Sequence, residues 1–208
     1  FETLPEFATP EAIAPLRSAF DGELEIALGL ESADPEILRR FVNKGAPPSE
    51  YFQAADRIRG AGALSKAYLL LKPPYLTEEE SVEDVVDSIE RASPHFDALS
   101  VNPVHIQGGT VVEWLYDRHR YRPPWLWSLV ESIARGAKVR GQARLVTFPT
   151  AGGRPRGPHN CGKCDRSVLA ALEEASLSQS FGGLDGLDCP CRARYARQRG
   201  LEGLGVEA

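Results

Sequence analysis

The sequence predicts an α/β protein, built on a parallel sheet, that ends in a small metal-binding module. Apolar runs of strand length alternate with helical patterns over residues 1–149, which is typical of βα units. From residue 150 the chain becomes rich in Gly, Pro and Arg, and its four cysteines follow in two close pairs. We therefore expect two parts, residues 1–149 and residues 150–208.

Strands and helices alternate along the first part. Phe1–Thr3 reads as the end of a strand, and the apolar runs that predict the four further strands are 24–30, 66–71, 98–102 and 143–148. Helical patterns separate these strands and are expected over residues 35–43, 50–59, 78–91, 110–116 and 125–133. An eight-stranded barrel typically needs about 250 residues. This length therefore suits an open or partial barrel, or a doubly wound sheet.

Local signals place several helix ends. Asp34 and Pro35 supply a cap and a first-turn proline, and Ser49 is a second candidate cap. Thr77 and Glu80 have the spacing of a capping box. Gln107–Thr110 lacks the spacing of a phosphate-binding loop, so it is interpreted as a turn followed by a helix cap.

The net charge of −5 conceals a strong asymmetry. Residues 1–117 hold nine Lys/Arg against 21 Asp/Glu, a balance of −12, whereas residues 118–166 hold eleven against two, a balance of +9. Such a basic segment favours a polyanion partner, most commonly nucleic acid, although it would also suit a solvated basic surface. Arg118, Arg120 and Arg122 alternate with aromatic residues, and Arg154 and Arg156 follow, so these five are candidate RNA contacts.

The sequence contains no run of about 20 apolar residues and no signal-peptide pattern, so we expect a cytoplasmic protein without a membrane partner. It contains no methionine and begins inside an expected strand. We therefore expect the natural start to lie upstream.

The cysteines form the clearest motif. Cys161 and Cys164 are separated by two residues, Cys189 and Cys191 by one, and a predicted helix over residues 167–175 lies between the pairs. Two close pairs can deliver four thiolates to one tetrahedral ion, so zinc is the leading interpretation. An auxiliary iron–sulfur cluster, or disulfides or free thiols, remain alternatives. His159 could replace a cysteine or orient one.

The cysteine module is also rich in arginine. Four arginines follow the last cysteine, at positions 192, 194, 197 and 199. A metal-stabilised module that presents arginines is consistent with RNA binding.

Several segments, in order along nearly the whole chain, resemble one known family. They are FETLPE (1–6), GLESA (29–33), NKG (43–45), KAYLLLKPP (66–74), SVNPVHIQGGT (100–110), YRPPWLW (121–127) and RGPHNCGKCD (156–165). They resemble the archaeal radical S-adenosylmethionine (SAM) subunit of archaeosine synthase, which is related to the Elongator-type radical enzymes. The last two segments are the most specific.

The resemblance implies the C-terminal part of a partial (β/α)6 barrel, with SAM and a [4Fe–4S] cluster as cofactors. It implies tRNA and a lysine-transferring subunit as partners, and cleavage of the carbon–nitrogen bond of a lysine attached to a 7-deazaguanine base. It also makes Glu31 and Ser32, at the end of a strand, candidate contacts to SAM, although Ser32 could simply end the strand. Lys72 and Asn102 are candidate cofactor contacts because they too lie at strand ends. The alternative for Lys72 is a solvated side chain, and no catalytic residue is assigned.

The sequence departs from the family in one place. A radical SAM enzyme holds its cluster with a CxxxCxxC motif, and none occurs in these 208 residues. In the family the motif lies upstream of the first strand here, so the chain is expected to be inactive alone. The alternative function is a noncatalytic, zinc-containing RNA-binding protein on an α/β scaffold.

Overall fold

The computed structural model describes residues 1–19 and 21–204, and its centre is a five-stranded parallel sheet. The strands lie in chain order across the sheet: β1 (Glu2–Thr3), β2 (Glu25–Glu31), β3 (Leu64–Leu71), β4 (Ala98–Pro103) and β5 (Arg144–Val146). The α/β class and the parallel sheet are confirmed, and the strand that Phe1–Thr3 suggested is present.

Eight helices accompany the sheet within the described residues. They are α1 (Pro10–Ala19), α2 (Pro35–Ile37), α3 (Pro48–Gly60), α4 (Glu78–Ala92), α5 (Val111–Tyr116), α6 (Leu126–Val139), α7 (Asp165–Ser178) and α8 (Cys191–Glu202). A π-helical turn, Leu38–Val42, continues α2 and ends at Asn43 in the left-handed conformation. Short 3₁₀ turns lie at Pro5–Phe7 and Gly182–Leu184.

The two faces of the sheet differ. Alternate strand residues such as Leu28, Leu69 and Leu99 are fully buried and share one core cluster with the helices. Residues of the opposite parity, such as Tyr68 and Asn102, are only partly buried and lie outside that cluster. The helices therefore cover one face, and the other face stays open and more polar.

The core continues into the cysteine-bearing part. Val168, Leu172 and Tyr195 belong to the same buried cluster as the strands. Residues 150–204 therefore pack onto the helical layer, while residues 205–208 of the predicted second part lie outside the described residues. In the described chain, no helix has both the length and the apolar character needed to cross a bilayer.

Local predictions differ in accuracy. The Thr77–Glu80 capping box, the Asp34 cap and the Thr110 cap are present. The predicted Ser49 cap is wrong, because α3 begins two residues earlier than predicted, at Pro48, and its cap position is Pro47, without a side-chain hydrogen bond. β5 is shorter than predicted, since Ala143, Thr147 and Phe148 fall outside it.

Candidate metal centre and the open face of the sheet

The four cysteines converge where α7 and α8 begin. Their Sγ atoms lie within 4.8 Å of one another. The Sγ–Sγ separations are 3.8 Å for Cys161–Cys164 and Cys161–Cys189, and 3.7 Å for Cys164–Cys191. All four thiols are free, so the structure contains no disulfide among them.

These separations fit one tetrahedral ion. A Zn–S bond of about 2.3 Å gives tetrahedral sulfur–sulfur edges of about 3.8 Å, which matches the measured distances. The donor set of four soft thiolates suits Zn²⁺ and is closed, because no position remains open for a substrate or water. The cluster can therefore hold a metal in a structural role.

The chain before α7 shapes the first ligand pair. Asp165 Oδ1 accepts hydrogen bonds from the backbone N–H groups of Asn160 at 3.2 Å and Gly162 at 3.1 Å. Gly162 has φ +85°, a conformation that glycine adopts without steric cost. This turn brings Cys161 and Cys164 to the same side.

Hydrogen-bond donors surround the sulfur atoms. Trp127 Nε1 donates to Cys191 Sγ at 3.2 Å, and Asn160 Nδ2 donates to Cys164 Sγ at 3.5 Å. Backbone N–H groups of Lys163 and Cys164 lower the pKa of the Cys161 thiol to about 7, whereas burial raises that of Cys191 to about 12. Such donors stabilise thiolates and orient metal ligands.

His159 is not among the four ligands. Its Nδ1 donates to the Gly157 carbonyl at 2.8 Å. Burial is the main cause that lowers its pKa. The four cysteines already form a complete tetrahedral set, so His159 is not needed as a ligand. Its side chain contacts the loop backbone.

The predicted cofactor contacts occupy two different environments. Asn102 lines a cleft of about 390 Å³ on the open face, together with Tyr68, His105 and Phe148. Glu31, with φ +66°, is half-buried and pairs with Lys44 at 3.2 Å. The structure thus leaves Asn102 accessible to a ligand and holds Glu31 in an ion pair.

Ser32 and Lys72 instead contact α4. Ser32 is 1% exposed, and its Oγ donates to Asp84 Oδ1 at 2.6 Å. Lys72 is 4% exposed and its Nζ lies 2.5 Å from Glu78 Oε1. Lys72 is therefore not the solvated side chain that the sequence allowed as an alternative. Their predicted cofactor contacts remain untested.

Glu78 and Asp84 were missed by sequence reasoning. Glu78 lies in an acidic first helical turn that resembles a solvated surface, yet it is fully buried and also accepts from Ser128 Oγ at 2.5 Å. Burial raises the pKa of Asp84 to about 6. The helical spacing of the buried residues of α4 is the sequence signal that could have placed these two carboxylates on the inner side, because Ser81 and Ser88 lie on that side as well.

The candidate RNA contacts differ in exposure. Arg118, Arg120 and Arg154 are exposed, and the Arg118 guanidinium lies 4.2 Å from the Trp114 ring centroid. Arg156 is engaged in an ion pair with Glu113 at 2.6 Å. Arg122 is half-buried and lies 4.0 Å from the centroid of Trp125, which is fully buried in the core as expected.

Comparison with known proteins gives a consistent relationship. No protein-family model matches the chain. Archaeosine synthase subunit beta of Methanosarcina acetivorans is 35% identical over 97% of this chain and 58% of its own length. The protein of the same name from Thermococcus kodakarensis is 37% identical over 93% of this chain and 60% of its own length. The chain thus spans less than two thirds of these relatives.

A solved structure confirms the fold. Elp3 of Methanocaldococcus infernus, lacking its first 46 residues, superposes with a TM-score of 0.60 over 85% of this chain and 41% of its own, at 17% identity. At this identity the likeness shows the fold alone. The resemblance to archaeosine synthase subunit beta is confirmed by the two relatives of that name, which are 35% and 37% identical over more than nine tenths of this chain.

Proposed function

We propose that this chain forms part of a radical SAM enzyme that completes archaeosine in tRNA by cleaving the carbon–nitrogen bond of a lysine attached to a 7-deazaguanine base. The observation that carries the proposal is 35% and 37% identity to archaeosine synthase subunit beta over more than nine tenths of the chain. The Elp3-like fold agrees with it.

In this proposal the sheet is the C-terminal part of a partial (β/α)6 barrel, and its open face lines the barrel interior. The cleft beside Asn102 supports this arrangement, because ligands of parallel α/β proteins bind beyond the carboxyl ends of the strands. Asn102 and Glu31 are the proposed contacts to SAM. Ser32 and Lys72 would each have to leave a partner on α4 to reach a ligand.

The 208 residues do not fit the [4Fe–4S] cluster that activates SAM in such enzymes. They contain no CxxxCxxC motif, and their four cysteines already form one tetrahedral group. The proposal therefore requires three cluster ligands from outside these residues. The chain alone is expected to be inactive.

The proposed metal at the four cysteines is zinc. In a [4Fe–4S] cluster each cysteine binds a different iron, which spreads the sulfur atoms farther apart than ligands of a single ion. The 3.7–3.8 Å separations support the single ion. Metal analysis of the purified protein should give one zinc per chain in a colourless sample, whereas a brown protein with cluster absorption would contradict this assignment.

The proposed partners are tRNA and the lysine-transferring subunit, in the cytoplasm of an archaeon. Two facts support them: the relatives are named as a subunit of archaeosine synthase, and residues 118–166 carry a balance of +9. A basic segment of this kind suits the phosphates of RNA.

The test is the nucleoside content of tRNA in an archaeon that lacks its own beta subunit. Complementation with the complete protein that includes this chain should restore archaeosine, measured by mass spectrometry, and remove an accumulated lysine-modified base. Cys164→Ser should reduce this restoration, and Ser167→Ala, an exposed neighbour, should not. Full archaeosine without the protein would reject the assignment, and RNA binding without any effect on archaeosine would favour the noncatalytic alternative.

A further inference from the structure

Helix α8 begins at the metal ligand Cys191 and has two distinct faces. Tyr195 packs in the core, and its hydroxyl is hydrogen-bonded to Ser128 Oγ at 3.0 Å. Farther along the helix, Gln198 accepts from Trp125 Nε1 at 2.9 Å. Near the end of the helix, Glu202 accepts from the backbone N–H of Glu78 at 2.8 Å. The residues that point away from the protein are arginines and small residues: Arg192, Ala193, Arg194, Ala196, Arg197 and Gly200. The inner face thus fixes the helix, and the outer face presents three arginines.

Two of these arginines are held against tryptophans. The Arg192 guanidinium lies 4.4 Å from the Trp127 centroid, and that of Arg194 lies 5.5 Å from the Trp125 centroid. Arg122 contacts the same Trp125 ring at 4.0 Å. A guanidinium that uses its flat face on an aromatic ring keeps N–H groups at its edge for a ligand, and its orientation costs less entropy when the ligand binds.

The charges of this surface are not neutralised locally. In residues 1–19 and 21–204, none of Arg122, Arg192, Arg194 and Arg197 forms an ion pair with a carboxylate, whereas Arg199, on the inner face, pairs with both Glu79 and Glu131. Burial is the main cause that lowers the pKa of Arg122 to about 10. The carboxylates of Glu78, Glu202 and Asp165 oppose this shift, and the charge of Arg194 adds to it. Arg122 donates to the backbone carbonyls of Pro123 and His159. An anion placed here would therefore meet chiefly the three arginines of α8.

The negative charge of a metal bound by four thiolates would offset only part of the positive charge on α8. Four thiolates on Zn²⁺ carry a net charge of −2, and Arg192, next to Cys191, is placed to offset it. Arg197 is six residues beyond Cys191, which is about 9 Å along the helix. Arg194 and Arg197 therefore remain available to another anion.

We infer that the outer face of α8, formed by Arg192, Arg194 and Arg197 with Arg122 beside it, binds the phosphodiester backbone of the tRNA substrate. This inference rests on the proposed function. Ala193, Ala196 and Gly200 leave room between the arginines, so that a sugar–phosphate chain can approach the helix closely, and guanidinium groups match phosphate oxygens in geometry.

The test is binding of a fluorescently labelled tRNA transcript to the complete protein, measured by anisotropy over a range of salt concentrations. Arg194→Ala/Arg197→Ala should weaken binding about tenfold and make the dependence of log K on log salt shallower by about 1 to 2. Arg194→Lys/Arg197→Lys should recover most of the salt dependence, because the charges remain. The control is Arg39→Ala/Arg40→Ala, which removes two exposed charges from another helix and should change neither quantity.

The outcomes separate the inference from the proposed function. Zinc content and thermal unfolding of each variant show whether α8 remains folded. The single variant Arg197→Ala, at an exposed position of this helix, should still weaken tRNA binding. Unchanged affinity and salt dependence would overturn the inference, as would loss of binding to the partner subunit instead of tRNA. Archaeosine formation is measured independently in the deletion strain, so a wild-type protein that binds tRNA through α8 but restores no archaeosine would overturn only the proposed function.

Discussion

Two buried carboxylates on α4 connect this helix to the ends of neighbouring strands. Asp84 accepts a hydrogen bond from Ser32 after β2, and Glu78 pairs with Lys72 after β3. Asp84 Oδ2 is buried and has no hydrogen-bond partner within the described residues, whereas both oxygens of Glu78 have partners. The two carboxylates should therefore respond differently when they are replaced.

Asp84→Asn should stabilise the protein at neutral pH. Burial raises the pKa of Asp84 from 3.8 to about 6, so the folded state binds more protons than the unfolded state between these values, and its stability falls as pH rises through that window. Removing the charge should raise the free energy of unfolding by about 1 to 3 kcal/mol at pH 7 and change it little below pH 4. Urea titrations at pH 4, 5, 6 and 7 would measure the difference.

The matched control for Asp84 is Glu90→Gln, an exposed position on the same helix whose charge is not among those that raise the pKa of Asp84. Its difference from the wild type should not vary over this pH range. A constant difference for Asp84→Asn would mean that the carboxyl group is not destabilised by burial.

Lys72→Met should destabilise the protein strongly. It leaves Glu78, which is fully buried, without its cation, and breaking a buried ion pair on one side typically costs about 3–5 kcal/mol. Lys72→Met/Glu78→Gln should recover most of this loss, because the amide oxygen can still accept from Ser128. The control is Arg39→Met in the exposed Arg39–Glu36 pair, which should leave the urea midpoint unchanged.

At this scale the sequence predicted that the two cysteine pairs converge, because each pair is a local motif and two such pairs can share one ion. Cys161 and Cys164 were assigned correctly as a pair because two intervening residues suffice to bring their thiols together. Lys72 could not be placed, since its φ of +62° and its pairing with Glu78 depend on how β3 meets α4. A strand-alternation argument does not anticipate a left-handed residue at the strand end.

At the scale of secondary-structure elements, the closest helix packing is between α4 and α6. A Cβ added at Gly136 on α6 would lie 2.4 Å from Ile89 Cδ1 on α4 and 3.6 Å from Ile89 Cγ1. The glycine thus makes room for one terminal methyl group of the isoleucine. The contact can be tested by removing this methyl group from α4 and adding one to α6.

Gly136→Ala and Ile89→Val should compensate each other. Gly136→Ala gains about 1 kcal/mol of helix propensity but overpacks the contact by about 1–3 kcal/mol, and Ile89→Val alone costs about 0.5–1.5 kcal/mol. In the double variant the alanine methyl occupies the vacated space, so it should be more stable than the sum of the single changes indicates. A double-mutant cycle by urea denaturation measures this coupling, and simple additivity would show that the helices move apart instead.

Helices with an apolar stripe were predicted, and those without one were not. α6 was found because its buried residues recur at helical spacing, and α4 because a capping box marks its start. α8 was missed because Tyr195 is its one buried residue. The hydrogen bonds that fix the helix also reach groups distant in sequence, such as the one from the Glu78 backbone N–H to Glu202 across 124 residues. α1 was also missed, since Pro15 lies within it.

For the molecule as a whole, the continuous core makes the metal centre part of the fold. The sequence indicated two parts because Gly, Pro and Arg dominate from residue 150, but composition does not show what packs against a module. In the structure α7 contacts α6 and β5, and Val168 and Leu172 share the core of the sheet. Removal of a metal bound by the four cysteines should therefore destabilise more of the protein than the cysteine-bearing turns.

Metal removal should lower the stability of the whole protein in a single cooperative transition. Structural zinc sites contribute directly to folding, and because α7 and α8 cover the helical layer, their loosening would expose Trp125 and Leu172 to water. Differential scanning calorimetry with a strong chelator should show one transition shifted down by about 10 °C, a stability loss of about 3–5 kcal/mol at this chain length. Cys164→Ser should already show the lower transition, and chelator should shift it no further. Two transitions, with the upper one unmoved by chelator, would show instead that residues 150–204 fold independently of the sheet.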